Sequence, residues 1–362
     1  MKKSNRILII ILIVLIIGFL AWYFSNIIAY IIISAALSFI GLPLIKLLDK
    51  IKIGKFKIPH SLNSMFALIS IILVVVVFVN IFVPIIANQA SNLSEIDIES
   101  FNESFKEPIG EIENFLTNYG IISENLETTI TEKLLSLISV VNVDSVLDSL
   151  LSLTGSLFIG IFAVLFITFF FLKDEKLFYN GIMIFVPEKY EEDGTFILSE
   201  SKRLLSRYFI GICLEVFTVA TLLTIGGLII GLDNALLIGV IGGLFNIIPY
   251  LGPVIGATIS AILVAATNLN PDFFAQTLPY VLGILGVFVV TNLIDNILLQ
   301  PLIYSKSVKA HPIEIFIVII MAGSIAGILG MILAIPVYTL FRIIARQFLS
   351  RFKLVKKITA KM

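Results

Sequence analysis

Long runs of apolar residues are the feature that most limits how this chain can fold. The runs at residues 27–48, 62–87 and 278–303 exceed the roughly 20 residues that a helix needs to cross a hydrocarbon core about 30 Å thick. Membrane strands would instead alternate in polarity over about ten residues. Hydrophobic residues make up 58% of the 362 residues and charged residues 14%, and the mean hydropathy is +1.07, unlike a soluble domain. The sequence therefore predicts an all-α, polytopic bundle of transmembrane helices.

Eight segments are predicted to enter the membrane, and the charges between them predict its orientation. The loop at residues 46–57 carries five lysines and one acid, and the residues from Arg342 onward include seven bases and no acid. Because basic loops stay on the cytoplasmic side, both termini are predicted to be cytoplasmic. The first run lacks a small-x-small cleavage site and is read as a retained span, followed by a tight turn at Ser25 and Asn26. The segments are residues 7–24, 27–48, 62–87, 153–172, 208–231, 235–267, 278–303 and 313–344.

Residues 235–267 and 313–344 fit two topologies. The first stretch would measure about 50 Å as one straight helix, which is more than an ordinary span uses. If both stretches cross the membrane, the lysines before the second stretch lie outside. If both are re-entrant hairpins, those lysines lie inside, which the bias towards internal basic residues favours. Both stretches share a G-x5-P spacing, at Gly243–Pro249 and Gly330–Pro336, which indicates either an internal repeat or a chance likeness of glycine-rich helices.

The chain is predicted to divide into five regions. Residues 88–152 hold twelve acids and two bases, and their apolar residues recur at helical spacing. We expect an extracytoplasmic insertion of amphipathic helices there, which serves as a cap, an oligomer contact or a plain connector. The regions are residues 1–87 with three spans, 88–152 with this insertion, 153–207 with the fourth span and a cytoplasmic interfacial helix, 208–347 with the C-terminal core of broken or re-entrant segments, and 348–362 as a basic cytoplasmic tail.

Two carboxyl groups are predicted to lie within the hydrocarbon, Glu215 in the fifth segment and Asp295 in the seventh. An ionised group there costs about 2.5 kcal/mol or more, so each needs a reason. Asn292, Asp295 and Asn296 share a helix face at i, i+3 and i+4, and Gln300 continues this strip one turn on. The strip suits a proton, a monovalent cation or a polar solute, or it serves to hydrogen-bond neighbouring helices.

The sequence NIIPYLGPVIG, which begins at Asn246, predicts a broken helix. Pro249 and Pro253 supply no amide donor, so the helical ladder opens there. Broken backbone at membrane depth is tolerated only against protein or a water-filled cavity. The freed carbonyls, with Asn246, Tyr250 and the backbone at Gly252, predict a place where a cation or a polyol binds; a proline kink without a ligand is the alternative.

The sequence AGSIAGILG, which begins at Ala322, places small residues at regular intervals. Gly323 and Gly327 have small-xxx-small spacing, which permits close approach of two helices. We therefore predict a packing role for these glycines in preference to a role in transport.

No pattern typical of enzymatic chemistry occurs in the sequence. The Walker loop, GxSxG, HExxH and CxxC are all absent. Cys213, His60 and His311 are too few to build a zinc site. We therefore expect no catalytic residue, no metal and no cofactor, and the chain is not predicted to be an enzyme. The balance of 25 basic and 25 acidic residues gives no reason to expect a nucleic-acid partner.

Three motifs in the C-terminal half resemble those of the autoinducer-2 exporter-like family of bacterial membrane proteins, or PerM-type permeases. They read FNIIPYLGPVIGA, DNILLQPLIYSKSVKAHP and AGSIAGILGMILAIPVY, and FFFLKD closes the fourth segment. The resemblance covers essentially the whole chain and is specific in the order and spacing of the motifs. The family's motif residues fall here on Pro249, Gly252, Pro253, Asp295, Asn296, Pro301, His311, Pro312, Gly327, Gly330 and Pro336.

This resemblance implies a secondary transporter or exporter of the bacterial cytoplasmic (inner) membrane that forms a homo-oligomer, with a pentamer as the expected form. Its expected partners are the lipid bilayer, copies of itself, and a small polar solute or a monovalent cation or proton. Three readings stay open: an exporter of a small polar metabolite or signalling molecule, a Na⁺(Li⁺)/H⁺ antiporter that uses Glu215 and Asp295, and an oligomeric passive channel or scaffold.

Overall fold

The computed structural model describes four main ranges of the chain. The described ranges are residues 23–94 apart from 51, 54 and 55, residues 154–268 apart from 175, residues 273–301 and residues 311–349, with a few single positions before 23 and between 110 and 117. Most of the first predicted segment, most of the predicted insertion and nearly all of the basic tail lie outside these ranges.

Nine helices and one short β-hairpin make up the described residues. Strands β1 (Lys52–Ile53) and β2 (Phe56–Lys57) pair antiparallel, with Lys52 opposite Lys57. A 3₁₀ turn at Glu188–Tyr190 precedes α5, and π-helical turns flank α8 at Phe273–Thr277 and Asp295–Leu299. The helices are α1 (Ser25–Leu48), α2 (His60–Ser94), α3 (Thr154–Lys173), α4 (Leu177–Met183), α5 (Glu191–Ile230), α6 (Ala235–Phe245), α7 (Leu251–Thr267), α8 (Leu278–Ile294) and α9 (Pro312–Leu349).

Five stretches of the described residues are long and apolar enough to cross a membrane. They are Ser25–Leu48, His60–Ile81, Glu188–Ile230, Phe274–Leu299 and Ile313–Phe348, and shorter apolar helices lie at Phe158–Lys173, Ala235–Phe245 and Leu251–Thr267. The predicted fold class is confirmed: this is an all-α, polytopic membrane protein with broken helices.

Two helix boundaries differ from those expected from sequence. Ser25 and Asn26 lie within the first turn of α1, and the departure from helical backbone falls on Phe24 (φ −97°, ψ 23°). The interfacial helix and the fifth span form one 40-residue helix, α5. Its first turns are polar and its later turns apolar, but no proline or glycine turn interrupts the hydrogen-bond ladder between them, so the helix continues.

The described residues belong to two compact units, Met1–Val75 with Leu153–Lys202 and Val76–Ser152 with Arg203–Met362. In the first unit, α1 packs along α3. The Ser34 hydroxyl donates to the carbonyl oxygen of Val164 at 3.0 Å. A side chain at Gly41 would come within 2.9 Å of Leu172, so the glycine permits this close packing. The Asn63 amide donates to Asp49 at 2.6 Å and joins the end of α1 to the start of α2.

The second unit contains α6 and α7 as an antiparallel pair, which we call hairpin A (Ala235–Thr267). A side chain at Gly256 would come within 3.2 Å of the Cα atom of Gly242, so the two arms are in backbone contact. An apolar cluster around Leu223, Ile238 and Val264 joins hairpin A to α5 and α8.

Helix α9 also folds back on itself, and we call it hairpin B (Pro312–Leu349). Its backbone leaves helical geometry at Ala326 (φ −133°, ψ 21°) and Gly327 (φ 58°, ψ −142°). The Tyr338 hydroxyl donates to Glu314 at 2.9 Å although the two residues are 24 positions apart, a distance of about 36 Å along a straight helix. Both hairpins therefore follow the chain path of the re-entrant alternative.

The G-x5-P spacing shared by the two stretches does not mark equivalent positions. Pro249 lies in the break of hairpin A, whereas Pro336 lies inside the second arm of hairpin B, well beyond its break at Gly327. What the two stretches share is a hairpin shape, reached with different residues.

Candidate functional site

The break in hairpin A occupies residues 246–250, between α6 and α7. The amide of Ile248 donates to the Phe245 carbonyl at 2.9 Å, and the amide of Leu251 donates to the Pro249 carbonyl at 2.8 Å. The second bond closes a three-residue turn around Tyr250, which has φ 67° and ψ −48°. Tyr250 is the one non-glycine residue with a positive φ among the described residues. Such strain persists only where the surrounding structure holds it in place.

Gly252 and Pro253 allow α7 to begin directly after this turn. A side chain at Gly252 would collide with the backbone carbonyl of Phe245, which cannot move aside as a side chain can. Pro253 lies in the first turn of α7, where helix amides have no partner within the helix, so its missing donor carries little cost.

The first residue of the break, Asn246, contacts one of the two carboxyl groups singled out in the sequence. Its side-chain amide donates to Oε1 of Glu215 at 3.3 Å. Asn246 is 5% exposed and Glu215 is 2% exposed. The break therefore holds an amide against a buried acid of α5.

Asp295, the other carboxyl group, lies where α8 becomes a π-helical turn. It is 1% exposed, and Oδ2 accepts a hydrogen bond from the Gln300 amide at 2.9 Å. The π turn explains this contact, because the Gln300 backbone amide bonds to the Asp295 carbonyl and brings residue i+5 over residue i. The carboxyl also lies beside Asn246 and Glu215. Its Oδ1 atom is buried and makes no hydrogen bond with the described residues.

The same π turn divides the polar strip expected from sequence. Asn296 is exposed and folds back onto its own helix, where its amide donates to Oδ1 of Asn292 at 2.9 Å. Asp295 and Gln300 turn to the buried side. The strip therefore does not form one face, because the wider turn rotates the residues that follow Asp295.

A small cavity joins the broken helix to the polar strip. Its empty volume is about 240 Å³ including its open side, with room for roughly one water molecule. One end is polar and the other is apolar. It is lined by Val219, Leu223, Gly242, Asn246, Pro253, Phe288, Thr291, Asn292 and Asp295, and we call it the Asp295 cavity.

Other predicted residues lie outside this lining. Tyr250 is not among the lining residues, and its ring meets the ring of Phe316 edge-on at 6.1 Å. Pro249 and Gly252 shape the break without lining the cavity.

The glycine and proline motifs of hairpin B act on its backbone. Gly327 forms the break itself, so Gly323 and Gly327 do not lie on one uninterrupted helix. Instead, a side chain at Gly323 would meet Met331, and one at Gly330 would meet the Ala322 carbonyl, across the hairpin. Pro301 lies at the exposed end of the segment that follows α8, Pro312 begins α9, and Pro336 lies in the second arm of hairpin B. His311 directly precedes α9, and its Nδ1 atom accepts a hydrogen bond from the backbone amide of Ile313 at 3.3 Å.

Three site residues were missed from sequence. Thr291 is buried one turn before Asp295 and lines the cavity, a position that the i, i+4 rule could have identified. Tyr208 is buried two turns before Glu215 on α5 and lies close enough to interact with its charge. Phe288 could not be singled out from the sequence, because an aromatic residue in an apolar helix ordinarily belongs to the hydrophobic core.

The arrangement brings two acids together where water is scarce. Two carboxylates this close repel each other strongly in a low dielectric, and the repulsion falls when they share a proton or enclose a cation. Among the described residues, no group of three or more His, Cys, Asp or Glu side chains lies close enough to hold a metal ion.

Known proteins are similar to this chain over half of its length or more. The model for AI-2E family transporters matches residues 9–350. YueF of Bacillus subtilis (strain 168), which carries the name of a transport protein, is 30% identical over 338 residues, covering 90% of this chain and 84% of YueF. MJ1177 of Methanocaldococcus jannaschii, also named for transport, is 27% identical over 323 residues, covering 86% of each chain. PerM of Escherichia coli (strain K12), named as a permease, is 26% identical over 203 residues, covering 55% of each chain.

The long apolar helices of the structure agree with a family of membrane transporters. Since the family match spans almost the whole chain, this chain belongs to the AI-2E family of membrane transporters.

Proposed function

We propose that this chain is a secondary transporter of the bacterial cytoplasmic membrane that exports a small polar solute. The observation that carries the proposal is the burial of Glu215 and Asp295 beside the broken helix of hairpin A. Intramembrane acids mark ion and solute pathways, and broken helices provide backbone groups to a bound ligand. The pair takes up and releases the coupling proton or cation while the solute binds beside it.

The chemistry of the cavity wall supports a polar solute. Asn246, Thr291 and Asn292 offer amide and hydroxyl groups that both donate and accept hydrogen bonds. A hydroxylated metabolite or signalling molecule matches such groups without needing a charge. The cavity, which has room for roughly one water molecule, would have to widen before the carbon skeleton of such a solute could face its apolar end.

The topology that we propose has six crossing segments and two re-entrant hairpins, A and B. Both termini then lie in the cytoplasm, in agreement with the basic loop at residues 46–57 and the basic C-terminal residues. We propose the five sequence regions given above as its domain organisation, and a homo-oligomer of five copies as its assembly. The mass of the purified protein in detergent, measured by light scattering, tests the assembly.

A second candidate is a Na⁺(Li⁺)/H⁺ antiporter, which the size of the cavity favours. Room for roughly one water molecule suits one dehydrated cation better than a polyol. Glu215 and Asp295 would alternate between a proton and the cation, with neutral oxygens of Asn246, Thr291 and Asn292 completing the coordination. The passive channel or scaffold is the third reading, and it needs no titrating carboxyl group.

Flux measurements in proteoliposomes separate these candidates. Purified protein is offered a panel of polyols and other small polar solutes, with pH and Na⁺ gradients imposed one at a time. The exporter predicts solute flux driven by a gradient, and the antiporter predicts Na⁺-dependent pH changes without solute. Asp295→Asn and Glu215→Gln should each reduce coupled flux at least about tenfold.

Asp233→Asn is the matched control, because it neutralises an exposed acid between α5 and α6, outside the cavity. It should retain the flux of the parent protein. A folded oligomer that carries none of the solutes and neither ion would eliminate both transport candidates. Flux that is unchanged by either carboxyl substitution would favour the passive channel.

A further inference from the structure

Phe288 forms the apolar end of the Asp295 cavity. Its side chain is 6% exposed and lines the cavity together with Val219 and Leu223. Thr291 and Asp295, one and two turns later on α8, form the polar end. The ring therefore lies at the boundary between the acid and the interior of hairpin A.

The Phe288 ring packs against both arms of hairpin A at glycine positions, where no side chain covers the backbone. A side chain at Gly242 would come within 3.0 Å of the Phe288 ring, and one at Gly256 would come within 3.5 Å. The two glycines also approach each other to backbone contact. Their lack of side chains leaves the space that the ring fills.

A second polar group lies behind the ring. Helices α7 and α8 run antiparallel. The start of α7, at Pro253, and the end of α8, at Asn292, both line the cavity. At the opposite end of the pair, the Thr277 hydroxyl just before α8 donates to the Asn268 carbonyl just after α7, at 2.6 Å. Gly256 is level with Phe288, so Ser260 lies one turn further from Asp295. Ser260 is fully buried, and its hydroxyl oxygen makes no hydrogen bond with the described residues.

A buried hydroxyl without a partner is unusual, because such groups normally find one or bind water. The Ser260 hydroxyl is thus available to a water or a polar solute that passes Phe288. An apolar constriction between two polar places excludes water when it is narrow, and it opens when the apolar side chain moves or is shortened.

Building on the transport function proposed above, we infer that Phe288 closes the Asp295 cavity towards the interior of hairpin A and thereby limits the size of the solute that the cavity admits. Gly242 and Gly256 are positioning residues for this ring. Ser260 is a buried polar group one turn beyond Gly256, on the side away from Asp295.

The barrier is tested without any transport measurement, by the access of a thiol reagent to Ser260. The background is Cys213→Ser, which removes the single natural cysteine. Ser260→Cys is then compared with Ser260→Cys/Phe288→Ala in nanodiscs, with a small, positively charged methanethiosulfonate as the reagent. Asn292→Cys reports access to the cavity itself, and Val264→Cys reports the dry cluster beyond Ser260.

We expect Ser260→Cys to react slowly while Phe288 is present and at least about tenfold faster in Phe288→Ala. The rate at Asn292→Cys should be the same with and without Phe288, and that at Val264→Cys should be low in both proteins. Phe288→Leu, which keeps an apolar side chain and perturbs folding less, should give an intermediate rate. Equal rates at Ser260→Cys with and without Phe288, in either variant, would overturn the proposal.

Transport measurements then test the size limit. In proteoliposomes, Phe288→Ala should admit polyols longer than those carried by the parent protein and should increase the passive leak. If the parent protein carries no solute while the thiol rates change as expected, the transport function fails and the barrier stands. If solutes are carried but Phe288→Ala changes neither the size limit nor the thiol rates, the role of Phe288 fails alone.

Discussion

Hairpins A and B are both made from one apolar stretch that turns back on itself, yet different chemistry breaks each of them. Hairpin A breaks over five residues that include Pro249 and the strained Tyr250. Hairpin B breaks over Ala326 and Gly327 alone. The tip of hairpin A carries the amide of Asn246, whereas the side-chain hydrogen bond between the arms of hairpin B, from Tyr338 to Glu314, lies far from its tip.

This difference indicates that the two hairpins have different structural roles. Ile248, at the tip of hairpin A, is buried together with Ile319 and Ala334 of hairpin B. In hairpin B, the Tyr338 hydroxyl bonds to Glu314, and the Arg342 guanidinium lies 5.6 Å from the Tyr338 ring. Hairpin A thus offers polar groups to the Asp295 cavity, and hairpin B supports its tip. Substitutions in each hairpin test this contrast.

Gly252→Ala should have the largest effect. The added methyl group meets the Phe245 carbonyl, and a backbone obstacle cannot relax by changing rotamer. We expect a loss of about 3 kcal/mol or more in the free energy of unfolding, measured by denaturant titration in mixed micelles. Gly286→Ala is the control, because its site on α8 is open and a helical glycine gains about 0.5–1 kcal/mol from this change. Equal stability of the two variants would contradict a tight break in hairpin A.

Gly327→Ala should have the next largest effect, and it acts on hairpin B by a different cause. The site has open space around it, but its φ of 58° with ψ of −142° is a conformation that residues with a Cβ rarely adopt. We expect a loss of about 1–3 kcal/mol in the same titration. Ser324→Ala, on the exposed surface of the first arm, should change stability by less than about 0.5 kcal/mol. Parent-like stability of Gly327→Ala would mean that the hairpin B turn is not held in this conformation.

Tyr338→Phe should have a smaller effect, because it removes one hydroxyl and keeps the ring beside Arg342. The lost hydrogen bond to Glu314 is worth about 0.5–1.5 kcal/mol. Glu314→Gln retains an acceptor and should lose less. If hairpin B acts only as a support, both variants reduce the thermal midpoint without moving the pH profile of flux. A shifted pH profile would place this pair in the transport chemistry and remove the contrast between the hairpins.

Tyr250→Gly should have the smallest effect, because two contributions oppose each other. Glycine relieves the positive φ, a gain of about 1–2 kcal/mol, while losing the edge-to-face contact with Phe316, worth about 0.5–1.5 kcal/mol. Tyr250→Ala loses the contact and keeps the strain, so it should be less stable than Tyr250→Gly by about 1 kcal/mol. Equal thermal midpoints for these two variants would show that the turn relaxes when the ring is removed.

The sequence predicted the features that depend on residue type and missed those that depend on how helices pack. Prolines and length were enough to predict the break in hairpin A, and a buried acid in an apolar helix was enough to single out Asp295. The π turn after Asp295 has no composition signal, so the pairing with Gln300 in place of Asn296 could not be foreseen. In hairpin B, the spacing of Gly323 and Gly327 is compatible with a packed straight helix, and the turn is revealed by the backbone at Gly327 and the contact between Glu314 and Tyr338.

The local fold of hairpin A, at residues 235–267, indicates which contacts of the second unit form early and which form late during folding. Its arms meet around one short turn, so it closes a small loop, and hairpin B does the same. The Asp295 cavity instead needs α5, hairpin A and α8 together. Contacts between distant segments form late, because more chain entropy is lost before they are made. The two acids therefore come together only when α5 and α8 assemble with hairpin A, whereas the hydrogen bond from Gln300 to Asp295 joins residues only five positions apart and forms locally.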